Sequence, residues 1–469
     1  MGGFFGVVKK DDCVNDLFYG TDYNSHLGTR RAGICTLNDG IFTRQIHSID
    51  NSYFRTKFEA DLDDFAGNSG IGVISDTDAQ PIIINSRLGK FAIVTVAKIN
   101  NIRQLETELL DAGRHFCEHS YDTLNPTELI GALISEGKDY VDGIENVYRK
   151  VRGSCSMLLL TKDGIIVARD RLGRTPVVIG RKDGAHAVSI EDCSFPNLGY
   201  KSCYNVGPAE IVMITPDEIR QLKAPGEEMQ ICAFMWVYYG YPPCSYEGRN
   251  VDQIRYRIGL ETAKAGDADE IDFVSPIPDS GTGMALGYSA AINRPYLRGM
   301  VKYTPTWPRS FTPGSQTRRE LVAKMKLIAN DSLLNGKRVA FCDDSIVRGT
   351  QLRDNVKDIR DAGAEKVHIR ISCPPLVYPC RFLNFTASKS EMELIARRVI
   401  ARLEEQGFSA PLEQYTQTGS EAYNRMVEEI RKDLGLDSLR FCSLKSLVEA
   451  IGLPKCKLCT HCFDGSSFD

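Results

Sequence analysis

Between residues 338 and 372 the chain reads strand, turn, helix, strand, and that order limits the fold more than any other feature. Val339, Ala340, Phe341 and Cys342 form a short unbroken apolar run, as in a strand buried on both faces. Residues 351–361 place Leu352, Val356 and Ile359 on one helical face, and residues 367–372 give the next strand. Two strands joined by a helix form a βαβ unit. Such a unit requires a parallel sheet with right-handed crossovers and places ligands beyond the carboxyl ends of the strands.

The preceding half has a different rhythm. Up to about residue 220, short apolar runs are separated by Gly, Asn and Asp, which predicts strands at 4–8, 71–75, 91–97, 157–160 and 164–168 and helices at 127–135 and 141–151. The polar stretch 215–228, with Pro216 and Pro225, is the expected boundary. A chain of 469 residues is too long for one ordinary core. Three units are expected: 1–225, sheet-rich; 226–385, with the parallel sheet; and 386–469, a helical extension ending in a cysteine cluster.

The turn inside the βαβ unit carries the chemistry. Asp343 and Asp344 stand at a strand end, where two carboxylates can accept hydrogen bonds from the vicinal hydroxyls of a ribose. Ser345, Ile346, Val347, Arg348, Gly349 and Thr350 follow, so that backbone amides and hydroxyls face a helix N-terminus, a favourable seat for phosphate. The GxxxxGK[ST] pattern of a Walker loop is missing. Spacing alone leaves open an acidic strand end followed by an ordinary turn.

These residues closely match the PRPP-binding signature of type I phosphoribosyltransferases, and the whole chain resembles the glutamine PRPP amidotransferase family. The resemblance continues through residues 232–239, Pro278 to Gly281, Arg309 to Phe311, Lys324 to Lys326, Pro374, Pro375, Cys380 and residues 437–439. It implies an Ntn-hydrolase-like αββα sandwich followed by a type I phosphoribosyltransferase domain. It further implies that Asp279, Ser280 and Gly281 receive pyrophosphate, that Lys302, Arg309, Lys324 and Lys326 neutralise leaving-group charge, and that Asp343 and Asp344 hold Mg²⁺. The expected reaction forms 5-phosphoribosylamine from PRPP for purine biosynthesis. Where the family has Arg-Thr-Phe in its closing loop, this chain has Trp307, Pro308, Arg309, Ser310 and Phe311. That departure keeps open another amine acceptor, and a PRPP or nucleotide sensor is the remaining alternative.

The N-terminal half resembles the family's glutaminase domain at residues 6–8, 26–33, 70–72, 79–81 and 168–170. The glutaminase machinery, however, is missing. The family's nucleophilic cysteine, whose thiolate attacks the glutamine amide, falls at Gly2, and Cys13 lies too far along to replace it. The carboxylate-binding arginine falls at Ser75, the Asn-Gly oxyanion pair at Val96 and Ala97, and the amine-binding aspartate at Pro126. This half is therefore expected to be a retained structural or regulatory domain, the transferase using free ammonia, ammonia delivered by a partner, or another small amine.

Fifteen cysteines in a chain without a recognisable secretory signal or membrane span point to a reducing cytoplasmic setting, where clustered thiols bind metal more often than they form disulfides. Cys155 and Cys193 are read as core. The resemblance implies a [4Fe–4S] cluster on Cys232, Cys380, Cys459 and Cys462. Zinc is the alternative, with Cys456 and His461 as further ligands. The net charge of −4 gives no reason to expect nucleic acid, Gly6 stands where an acylation motif wants Ser or Thr, and the resemblance implies a homo-oligomer.

Overall fold

The computed structural model describes residues 2–120, 123–264, 266, 270–303, 326–384 and 390–466. The first half is two stacked antiparallel sheets. The strands, in chain order, are β1 (Gly2–Lys9), β2 (Arg31–Asn38), β3 (Ile41–Ser48), β4 (Ser69–Ser75), β5 (Ile82–Ser86), β6 (Gly89–Ile99), β7 (Gly153–Thr161), β8 (Gly164–Ala168), β9 (Val178–Lys182), β10 (Ala185–Ser189), β11 (Lys201–Asn205), β12 (Ile211–Ile214) and β13 (Ile219–Lys223). One sheet runs β11-β9-β10-β1-β4-β2-β3 and the other β13-β12-β8-β7-β6-β5.

Period-2 alternation sorts the strand side chains into layers. Phe4 and Val8 enter the cluster between the sheets, with Ala92, Val94, Leu158 and Ile165. Phe5 and Val7 face the other way, onto Leu17 and Phe18 of helix α1 (Val14–Asp22). On the far side, Phe91 and Ile93 meet Leu129, Ile130 and Leu133 of α2 (Pro126–Ser135) and Ile144 and Val147 of α3 (Tyr140–Lys150). Asn125 starts α2 by accepting from Thr127 and Glu128 N–H, with proline at the first helical position. The result is the expected αββα sandwich. The stretch 215–228 is not all linker, because β13 lies within it and pairs with β12.

Strand β14 (Ile231–Cys232) opens the second half, followed by α4 (Val251–Ala263), β15 (Phe273–Pro276), α5 (Thr282–Ile292), β16 (Met300–Lys302), β17 (Leu327–Ala329), β18 (Arg338–Asp343), α6 (Thr350–Asp361) and β19 (Lys366–Ile371). The βαβ unit is present as read. The remainder supplies α7 (Ile395–Glu405), α8 (Glu421–Asp433), β20 (Ser438–Phe441), α9 (Leu444–Ile451) and β21 (Leu458–Cys459). The last unit is more than a helical extension: β20 completes a four-stranded parallel sheet, β15-β18-β19-β20, and β21 pairs in parallel with β14. Both pairings join residues far apart in sequence, which local apolar spacing does not report. Among the described residues no helix is long and apolar enough to cross a membrane.

Helices α4 and α5 cross at backbone contact. A Cβ on Gly287 would lie 1.9 Å from the Tyr256 carbonyl oxygen, and one on Gly259 would lie 2.2 Å from that of Met284. Only the absence of a side chain permits this approach. Gly287→Ala should push the helices apart and destabilise the protein by about 1–3 kcal/mol. The expected result is a lower denaturation midpoint with the mixed α/β circular dichroism spectrum retained.

Candidate functional site

Strand β18 ends at the paired acids, and the turn after it is held from several sides. Asp344 is buried and accepts from the hydroxyls of Ser280 at 2.6 Å and Ser345 at 2.5 Å. Its own N–H donates to Asp343 Oδ1 at 2.9 Å. Burial, and then the neighbouring Asp344 carboxylate, push the Asp343 carboxyl well above its usual range. The site thus makes ionisation of Asp343 costly.

Past the acids, Gly349 adopts φ 77°, and a Cβ there would lie 2.6 Å from Ile395 Cδ1. Glycine is needed on both grounds. The turn is braced by α7 and the residues before it: Ile395 N–H donates to the Val347 carbonyl at 2.8 Å, Arg398 donates to the Arg348 carbonyl at 2.7 Å, and Arg348 pairs with Glu393. Among the described residues, the N–H groups of Ile346, Val347, Arg348 and Gly349 have no acceptor. They stand at the N-terminus of α6, an arrangement suited to an anion.

The second loop is brought in by another close approach. Ile277 N–H donates to the Cys342 carbonyl at 2.8 Å, and a Cβ on Gly281 would sit 2.1 Å from that same oxygen. Asp279, Ser280 and Gly281 therefore lie beside the acids, with a cis peptide between Pro278 and Asp279. Lys302 pairs with Asp279 at 2.5 Å. Lys326 accepts the Tyr303 N–H through its carbonyl at 3.0 Å, at the base of the ribbon formed by β16 and β17. Arg309 and Lys324, with Trp307, Pro308, Ser310 and Phe311, lie outside the described residues.

One cation here was not read from the sequence. Arg255 of α4 is buried and donates to the carbonyls of Trp236, Tyr238 and Gly240 at 3.0, 2.9 and 2.8 Å. Burial lowers its pKa, while Asp344 is the leading influence in the opposite direction. The available signal was an arginine between Ile254 and Ile258 on a buried helical face.

In the first half, Gly2, Ser75, Val96, Ala97 and Pro126 all line one cavity of about 230 Å³. Gly2 and Ser75 are register partners across β1 and β4. The cavity also contains Asp78, Lys98 and Asn384, none of which was singled out from the sequence. Asp78 is buried. Its Oδ1 accepts from Thr77, Ser75 and Gln80 at 2.6, 3.2 and 3.1 Å, and its Oδ2 from the Thr127 hydroxyl at 2.6 Å. Lys98 Nζ donates to the Cys380 carbonyl at 2.5 Å, and Asn384 donates to the Ala97 carbonyl at 3.0 Å.

The four cysteines converge where the second half meets the first. Cys232 and Cys459 are partners across the β14–β21 pair. Arg174 donates to Cys459 Sγ at 3.4 Å, and Leu383 N–H to Cys380 Sγ at 3.3 Å. Burial raises the thiol pKa values of Cys232, Cys459 and Cys462. For Cys232 and Cys462 the neighbouring cysteines raise them further. Cys456 is exposed, and His461 turns Nδ1 to the Ser466 carbonyl at 3.0 Å.

Comparison with known proteins agrees with this architecture. Residues 69–194 match the family described as "Glutamine amidotransferase domain". The chain is 32% identical to the amidophosphoribosyltransferase of Methanothermobacter thermautotrophicus over 99% of its own length and 93% of that protein's. It is 30% identical to that of Bacillus subtilis, again over 99% and 93%. The solved structure of glutamine PRPP amidotransferase from B. subtilis, complexed with ADP and GMP, superposes with a TM-score of 0.84 at 29% identity, covering 99% of this chain and 96% of that one. With identity above 30% sustained over nearly the full length of both partners, the chain belongs to the amidophosphoribosyltransferase family.

Proposed function

We propose that this protein transfers the phosphoribosyl group of PRPP to ammonia, forming 5-phosphoribosylamine for purine biosynthesis, and that it does not hydrolyse glutamine. The observation that carries this reading is a contrast between two sites. The turn at 343–350 keeps its acids, hydroxyls and anion-facing amides, whereas the five cavity positions Gly2, Ser75, Val96, Ala97 and Pro126 supply neither a thiolate nor a cation, and the Ser75 hydroxyl is committed to Asp78.

In the transferase step the C1–O bond to pyrophosphate breaks with its electron pair leaving on oxygen, the amine lone pair bonds to C1, and an N–H proton is lost to solvent. Asp343 and Asp344 would hold the ribose hydroxyls. The amides of 346–349 would take the 5-phosphate, and Asp279, Ser280 and Gly281, with Lys302 beside them, the pyrophosphate. Paired acids at a strand end suit Mg²⁺, which when bound would neutralise the departing pyrophosphate.

The cysteines fit a [4Fe–4S] cluster better than a single zinc ion. Tetrahedral zinc with Zn–S bonds of about 2.3 Å needs sulfurs roughly 3.8 Å apart. Among the described residues, the one group of three or more ligand side chains within 4.8 Å of one another is elsewhere in the molecule. Cys232, Cys380, Cys459 and Cys462 therefore stand wider than one zinc requires, and the N–H donors aimed at Cys459 and Cys380 are of the kind that supports cluster sulfurs.

Replacing Asp343 and Asp344 together by Asn should weaken Mg-PRPP binding by roughly a hundredfold or more, since hydrogen bonds to a charged acceptor contribute about 1.5–3 kcal/mol each. Calorimetry measures this directly, and unchanged affinity would remove the assignment. Activity with neither ammonia nor glutamine would favour the sensor or altered-acceptor reading.

Anaerobically purified protein should be brown with broad visible absorbance, and Cys459→Ser should lose the colour. Stoichiometric zinc without iron would overturn the cluster.

No glutamate should be released from glutamine above background, with or without PRPP, while ammonia-supported pyrophosphate release persists. Gly2→Cys alone should not restore hydrolysis, because a Cβ there meets the Ile74 carbonyl oxygen at 2.7 Å and Ser75, Val96, Ala97 and Pro126 would still offer the substrate no charged group. PRPP-stimulated glutamate release by the unmodified protein would refute this reading.

A further inference from the structure

A second group of potential metal ligands lies at the seam between the two halves and shares no residue with the paired acids or the four-cysteine group. Glu191 and Cys193 follow β10 in the first half, and Cys244 precedes α4 in the second. One donor atom from each lies within 4.8 Å of the other two. Cys193 is half-buried, whereas Cys244 and the Glu191 side chain are almost fully buried.

The surroundings fix these donors in place. Cys244 N–H donates to the Tyr241 carbonyl at 2.9 Å, and the Cys244 carbonyl accepts from Val251 N–H at 2.9 Å and from Asn250 Nδ2 at 3.1 Å. The adjacent Ser245 N–H donates to Asp192 Oδ1 at 2.9 Å, crossing the seam. Glu191 Oε1 accepts from the Tyr246 hydroxyl and from Tyr241 N–H.

Its other oxygen pairs with a histidine: Glu191 Oε2 and His26 Nε2 are 2.7 Å apart.

We propose that Cys193, Cys244 and Glu191 bind a divalent zinc-like cation that clasps the first half of the chain to the second. Two thiolates and one carboxylate suit Zn²⁺ in both charge and softness, and three protein ligands leave a fourth position for water or a solute on the half-exposed Cys193 side. His26 then orients the carboxylate from behind, as outer partners of metal ligands commonly do. On binding, Zn–S bonds replace the two S–H bonds, and both protons leave to solvent. The site is independent of the phosphoribosyl reading and of the four-cysteine cluster.

The test uses the full-length protein, reduced anaerobically, with Zn²⁺ and Co²⁺ as probes. Wild type should take up one zinc per chain that the Cys193→Ser/Cys244→Ser double variant does not, while Cys459→Ser keeps it. Co²⁺ should give thiolate-to-metal absorption that the double variant loses. A third readout needs no variant: Zn²⁺ should protect Cys193 and Cys244 of the wild-type protein from alkylation, measured by peptide mass spectrometry. Equal zinc uptake by wild type and the double variant, with alkylation unchanged by zinc, would overturn the proposal. So would a reduced protein that takes up no zinc and forms a Cys193–Cys244 disulfide on exposure to air.

Discussion

The relation between the two halves depends on a buried seam around Arg174. Gln230 N–H donates to the Leu172 carbonyl at 2.7 Å, and Cys232 N–H to that of Arg174 at 3.1 Å, so the chain enters its second half tied to the first. The Arg174 side chain reaches Cys459 Sγ and lies 3.2 Å from the centroid of the Phe382 ring. One guanidinium thus joins a loop of the sandwich, the C-terminal tail and the segment after Pro375. A buried cation placed against a thiol and an aromatic face has part of its desolvation offset by those contacts. It also favours any negative charge that the sulfurs carry.

The segment that follows Phe382 connects this seam to the cavity of the first half. Ser154 donates to the Phe382 carbonyl at 2.6 Å, Asn100 to that of Arg381 at 2.8 Å, and Lys98 and Asn384 add the bonds already described. Leu383 and Asn384 then form part of the cavity wall. Within the cavity, Asp78 ties Ser75, Thr77, Gln80 and Thr127 into one network, so a buried acid organises the floor through neutral donors. A fully satisfied polar network of this kind rigidifies its surroundings. The first half thereby has a structural role: its polar floor and its wall hold the second half's segment in place.

What could be read from the sequence follows the range of the interactions. The β18–turn–α6–β19 unit was legible because doubly buried parallel strands are apolar runs and α6 has a strong helical stripe. Gly2, Ser75, Val96, Ala97 and Pro126 were found by register with a family pattern, and they line one cavity. Asp78 was not found, since an aspartate in a polar turn looks solvated until the fold surrounds it with donors. Strand β20 was missed for a similar reason: the partners that make Ser438–Phe441 a strand lie on β19, about 70 residues earlier, at His368, Ile369, Arg370 and Ile371. Cys193 was read as core, although it is half-buried and faces Cys244 across a seam that no local pattern marks.

The paired acids show how a functional demand acts on the fold. The Asp343 carboxyl has its pKa raised by burial and by Asp344, so its folded value lies above its unfolded one. Above the unfolded value, ionising this group in the folded protein works against stability, and below it the opposition vanishes. At neutral pH the turn on its own therefore holds an unfavourable arrangement. Ser280 and Ser345 fix Asp344, α7 braces the turn from outside, and close packing at Gly281 and Gly349 leaves the acids little room to separate. A bound cation would relieve the repulsion between the acids. Substrate binding and local stability would then be coupled through the same two carboxylates, which accounts for so many neighbouring contacts being committed to holding a charge-rich turn that is unfavourable on its own.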